Sequence, residues 1–265
     1  MIAIGLYSWA IAYVELNYLK LSYRDYLKNL TILHSLLGFV ISLLLVFRTN
    51  TAYERWWEGR KLWGALVNAS RNLAMKINAL SGQTDPAEKK FFARIIPLFA
   101  QVLKSHLQSE KVRLSLDEEE HPELKSLDSE KHIPNQVASI LTARIYRLHH
   151  SGKINGHELQ TLSPELHEFT DICGACERIK NTPIPFSYSL FIKKFIFFYV
   201  MTLPMGFVFS LGYYVIPVVV FIFYVLTSIE VIAEEIEDPF GGDSNDLPLQ
   251  KLADNIGIHV REILH

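Results

Sequence analysis

Cysteine is scarce in this chain of 265 residues, with only Cys173 and Cys176 present. Their C-x-x-C spacing is half of a four-cysteine zinc site, and no second pair completes it. A redox pair of this spacing follows a strand-to-helix turn, whereas Glu165 to Lys180 reads as helix. Two small residues on one helical turn is therefore the expectation, and a structural disulfide is not expected in a cytoplasmic segment. An excess of one charge is also missing. The 26 Lys and Arg against 28 Asp and Glu leave a net charge of −2, which gives nucleic acid no basic surface. No stretch alternates as a strand would, and no internal repeat is visible, so the class is all-α. There is no H-E-x-x-H, no phosphate-cradling glycine loop and no nucleophile elbow, so neither an enzyme nor a cofactor is expected. His149, His150, His157 and His167 are loosely spaced, and each reads as a surface residue.

What the chain does have is segregation. Hydrophobic residues make up 49% and charged residues 20%, and the two kinds are kept apart. From Phe195 to Ile229 no residue is charged. One bilayer-spanning helix needs about 20 apolar residues, so this run fits two, joined at Gly212-Tyr213-Tyr214 into a hairpin of about Leu190–Leu211 and Val215–Ala233. Lys193 and Lys194 can snorkel to the interface. Another apolar stretch, Thr31 to Phe47, ends at Arg48. Beyond it Tyr53, Trp56, Trp57, Leu62, Trp63, Leu66 and Val67 keep helical spacing between charged residues, so one long helix is expected to leave the membrane and continue into water.

Met1 to Val14 is uncharged but short. It lacks the basic start and cleavage site of a signal peptide, and we expect the recorded chain to begin inside its first membrane helix, with a true start upstream. Between about Ser81 and Pro185 lies a soluble helical segment, with an amphipathic series at Phe91, Phe92, Ile95, Ile96, Phe99, Val102 and Leu103. The acidic run Asp117–Glu120 and the breaks at Pro122 and Pro134 read as surface connections. The expected division is membrane helices in 1–47, a mainly cytosolic helical domain in 48–189, membrane helices in 190–233 and a cytosolic segment in 234–265. Arg48, Arg55, Arg60 and Lys61 follow the second span, and Arg178, Lys180, Lys193 and Lys194 precede the third. The positive-inside rule therefore puts the large helical segment in the cytoplasm.

The spans hold almost no ionisable residue, with His34 near one end and Glu230 near another. A coupled transporter or proton pump needs such groups at depth, so that class fits poorly. The hydroxyls of Ser42, Thr202, Ser210 and Thr227 are expected to satisfy backbone or pack between helices. Phe39, Leu43 and Phe47 fall four residues apart on one stripe of the second span. In a monomer such a stripe is core or faces lipid. In several copies around an axis it becomes stacked apolar rings, which gate ions by expelling water.

Several blocks, in order, resemble the bestrophins, specifically the bacterial branch. Ser35-Leu-Leu-Gly38 opens the second span, and Phe47-Arg48-Thr-Asn50 with Ala52-Tyr53-Glu-Arg55-Trp56 closes it. Arg60-Lys-Leu-Trp-Gly64 follows on the exiting helix. Cys176-Glu-Arg178 leads into Thr182-Pro-Ile-Pro-Phe186-Ser-Tyr188. Glu234-Glu-Ile-Glu-Asp-Pro-Phe-Gly241 precedes Asn245-Asp-Leu-Pro-Leu249.

The resemblance implies a homopentameric channel with four membrane helices per subunit and a helical cytosolic vestibule. Its partners would be copies of itself, membrane lipid and monovalent ions, and its place a bacterial inner membrane. It implies a hydrophobic neck at Phe39, Leu43 and Phe47, with Leu43 less bulky than the aromatic residue of animal members, and a cytosolic aperture at His157. Histidine changes charge near neutral pH, so a ring of five would make permeation depend on pH or bound Zn²⁺. Animal members carry a calcium clasp where this chain has Glu234, Glu235, Glu237 and Asp238. That run is shorter and broken by Pro239, so an ion site there is a candidate without an expected calcium requirement, and its acids could pair with Arg or Lys of a neighbour. The bacterial branch implies cation permeability and the animal branch chloride; cation passage is the first expectation and an anion channel the alternative. A non-conducting membrane scaffold is a rival of another class.

Overall fold

The structure, a computed structural model, describes residues 1–19, 26–80, 85–109, 127–128 and 130–265. The acidic run Asp117–Glu120 and Pro122 lie outside these residues. Among the described residues every regular element is a helix. These are α1 (Ile2–Val14), α2 (Tyr26–Ala79), α3 (Pro86–Leu107), α4 (Ile133–His150), α5 (Gly156–Asn181), α6 (Phe186–Leu211), α7 (Val215–Glu237) and α8 (Leu249–Leu264). They divide into two compact units, 1–54 with 184–237 and 55–183 with 238–265, so that α2 contributes to both.

The first unit contains α1, α6, α7 and the N-terminal part of α2. Two helical stretches, Leu30–Ala79 and Phe186–Glu237, are long and apolar enough to cross a membrane. In each, only 17% of the most apolar window is buried, whereas the core helix of a soluble protein would hide most of it. The second stretch is the hairpin of α6 and α7. Its turn is a 3₁₀ element at Gly212–Tyr214 in which Gly212 takes φ 54°, a conformation that costs glycine little because it has no Cβ. The apolar core of this unit is Ala12, Ile41, Leu45, Ile192, Ile196, Val200, Leu203, Val208, Val215 and Val219, and His34, Arg48 and Glu230 are buried beside it.

Small residues set how closely α2 and α6 approach. A Cβ on Gly206 would lie 2.9 Å from His34 Nδ1, and one on Gly38 would lie 2.8 Å from the Tyr199 hydroxyl. Glycine at both positions admits these side chains. His34 is buried, its Nδ1–H donating to Leu30 O at 2.8 Å and its Nε2 lying 3.0 Å from Thr202 Oγ1. Of the hydroxyls, Ser42 donates to Gly38 O, Thr202 to backbone carbonyls of its own helix and Ser210 to Phe207 O, whereas the buried Thr227 Oγ1 has no hydrogen-bond partner among the described residues.

The second unit packs α3, α4, α5, α8 and the rest of α2 around Trp63, Leu66, Leu73, Phe92, Phe99, Leu141, Phe169 and Ile256, with Phe99 and Phe169 edge to face at 4.9 Å. The amphipathic series read from the sequence is the buried face of α3, apart from the half-buried Phe91. Helix ends are capped locally. Asp85 accepts from Ala87 N with Pro86 at the first helical position, and Asn155 and Glu158 form a reciprocal capping box on α5. Arg55 donates to the carbonyls of Ile179 and Thr182, both at 2.6 Å, closing the C-terminus of α5. Cys173 and Cys176 are free and buried. Burial, with the charge of Glu177 added, pushes the Cys173 thiol up to about 12 and that of Cys176 higher. The reactive thiolate is suppressed, and the pair packs the core.

Candidate functional site

The membrane part of α2 has two faces. His34, Ile41, Leu45 and Arg48 are buried against their own unit, while Phe39, Leu43 and Phe47 stand 67%, 44% and 56% exposed. Side chains four apart on a helix share one side, so these three form a continuous apolar ladder, flanked by exposed Leu36, Val40 and Val46.

Arg48 fixes which way the ladder points. Its side chain is 1% exposed, with Nη2 2.7 Å from Glu237 Oε2 and Nε 3.8 Å from Glu230 Oε2, both on α7. Glu237 also accepts from Ile184 N through its other oxygen. Phe47 and Arg48 are adjacent and lie about 100° apart around the helix, so with the guanidinium buried against α7 the stripe of Phe47, Leu43 and Phe39 is left on the exposed side. Sequence reasoning placed Glu230 near the end of the last span and Arg48 at the end of the second, and did not pair the two.

Glu234, Glu237 and Asp238 each have a different partner. Both oxygens of Glu234 accept from Lys193 Nζ at 2.8 Å, Glu237 serves Arg48 and Ile184, and Asp238 accepts from Phe240 N. Glu234 and Glu237 each neutralise a cation of the same chain, Lys193 and Arg48. His157 is exposed on the first turn of α5, and its carbonyl accepts from Thr161.

Among the described residues, one group has metal-ligand geometry, and the sequence reading did not contain it: His106, His132 and Glu177. They come from the last turn of α3, the cap of α4 and the C-terminal part of α5, all within the second unit. Both imidazoles donate from Nε2 to Glu177 Oε1, at 2.7 and 2.6 Å. Burial alone would raise the Glu177 carboxyl, but these hydrogen bonds and the nearby histidines hold it below the usual glutamate range.

A family model described as Bacterial/Fungal Bestrophin protein matches residues 1–262. A Synechocystis protein named voltage-dependent anion channel-forming protein sll1024 is 35% identical over 86% of this chain and 75% of its own length. The voltage-dependent anion channel-forming protein YneE of Escherichia coli K12 is 32% identical over 86% and 75%. A crystal structure of a bacterial bestrophin homolog from Klebsiella pneumoniae superposes with a TM-score of 0.87 at 27% identity, covering 99% of this chain and 96% of that one. With the all-helical fold and the apolar, weakly buried stretches Leu30–Ala79 and Phe186–Glu237, these matches make it a membrane protein, and the chain belongs to the bacterial and fungal bestrophin family.

Proposed function

We propose that the chain is the subunit of a homopentameric channel that passes monovalent anions passively along a central pore. One observation carries the reading. The Phe39, Leu43 and Phe47 ladder is bare on a helix whose other face is buried in its own chain. Such a face meets either lipid or copies of itself, and family membership supports copies. Closed symmetry then turns the ladder into three rings that expel water from a narrow throat, a barrier that opens when the throat is wetted. His157 is the residue we assign to the cytosolic aperture. The membrane helices are α1, the first part of α2, α6 and α7. By the positive-inside rule α3, α4, α5 and α8 lie on the cytoplasmic side of a bacterial inner membrane.

The sign of the ion is where the first expectation gives way. Cation passage was expected, but the curated relatives are named anion channel-forming proteins, which favours the anion alternative. The apolar neck sets a wetting barrier and takes no side. In a planar bilayer with a KCl gradient, the reversal potential is expected to lie near the chloride equilibrium potential. A value near that of potassium would overturn the sign, and absence of current at any voltage would favour a non-conducting scaffold.

A further inference from the structure

We propose that His106, His132 and Glu177 form a binding site for a divalent metal ion of the zinc class. The site is separate from the ladder and does not depend on the channel reading.

Two imidazoles and one carboxylate are a donor set suited to zinc, which takes nitrogen and oxygen ligands at about 2.0–2.2 Å and keeps a fourth position for water. Here one donor atom from each residue lies within 4.8 Å of the other two. Ligands around a tetrahedral ion stand about 3.3 Å apart, so the present spacing of 2.6–2.7 Å between Glu177 Oε1 and each Nε2 requires only a small outward shift. The side chains are 33%, 31% and 28% exposed, enough for entry of the ion and for the water ligand. Three separate helices deliver the donors, and Lys180 ties two of them together, donating to His106 O at 3.1 Å and to Ser109 Oγ at 2.7 Å.

The protons have a definite course. Ligation needs both Nε2 atoms bare, so each neutral imidazole carries its proton on Nδ1. At His132 that atom now accepts the Asn135 N–H at 3.1 Å as the cap of α4. Metal binding therefore displaces this cap and turns the Asn135 N–H to water. Glu177 binds the metal through its carboxylate oxygen.

The test is titration of the full chain, purified in detergent, with ZnCl₂ by calorimetry, together with metal content after desalting. One zinc per chain is expected for the wild type and for His157→Ala. Its loss is expected in His106→Gln and Glu177→Gln that keep the wild-type elution volume and helical circular dichroism. A ring at His157 would instead bind one ion per assembly and vanish in His157→Ala, a result that overturns the proposal. So does equal zinc in the wild type and both cluster variants, or none in the wild type. Cobalt in the wild type gives a check free of variants: strong visible bands of a four-coordinate site are expected, and the weak bands of an octahedral ion would contradict the assignment.

Discussion

Replacing Arg48 with alanine is expected to destabilise the protein by about 3–5 kcal/mol, the range for removing one partner of a buried ion pair. In a protein of this size that lowers the melting temperature by roughly 10 °C. The cost comes from what remains behind. Glu230 is 3% exposed at its side chain, and among the described residues neither of its carboxylate oxygens has a hydrogen-bond partner, so the guanidinium is the compensating charge nearby. Glu237 loses less, because Ile184 N still donates to it. Arg48→Leu combined with Glu230→Leu removes the guanidinium and the more buried carboxylate and leaves Glu237 with its Ile184 N contact, so it is expected to recover part of the loss. Thermal unfolding of the purified variants measures both effects. An Arg48→Ala protein as stable as the wild type would contradict the role given to this pair, and with it the reason α2 holds its rotation.

The second large effect belongs to the ladder. Replacing Phe39, Leu43 and Phe47 together with alanine removes most of the apolar volume of the throat and lowers its wetting barrier, so single-channel conductance is expected to rise several-fold. Leu43→Phe acts in the other direction. An aromatic ring at the middle position narrows the throat, and conductance is expected to fall below that of the wild type. Conductance unchanged in both would mean that these side chains do not line the path of the ion.

The parts of the fold legible in the sequence are those encoded by local pattern. The span from Phe195 to Ile229 lacks charge, and Gly212 supplies the turn, so the α6–α7 hairpin follows from composition and one flexible residue. The continuation of α2 beyond Arg48 was legible because Trp56, Trp63 and Leu66 keep helical spacing with charged neighbours. The Phe39, Leu43 and Phe47 stripe was legible for the same reason. What local pattern does not encode is which distant groups meet. Arg48 and Glu237 lie on different helices far apart in the chain, and the acidic run looked like one cluster although Glu234 and Glu237 turn to different cations. His106 and Glu177 are separated by 71 positions and His132 and Glu177 by 45, so no spacing motif marks them. The only local sign was a histidine in the capping position before Ile133-Pro134. The sign of the permeant ion was illegible because an apolar throat has no charge to read.

The assignment of Phe39, Leu43 and Phe47 to a water-filled axis shared by copies of the chain is tested most directly by placing a cysteine at Leu43. The native thiols of Cys173 and Cys176 are buried and held protonated, so they give little background. In proteoliposomes, a charged, membrane-impermeant thiol reagent is expected to label Leu43→Cys and block its anion current within the time it takes to block nothing in the wild type. A Leu43→Cys protein that conducts unaltered in that reagent, yet is labelled by a maleimide dissolved in the lipid, would put the side chain against the bilayer and contradict the pore.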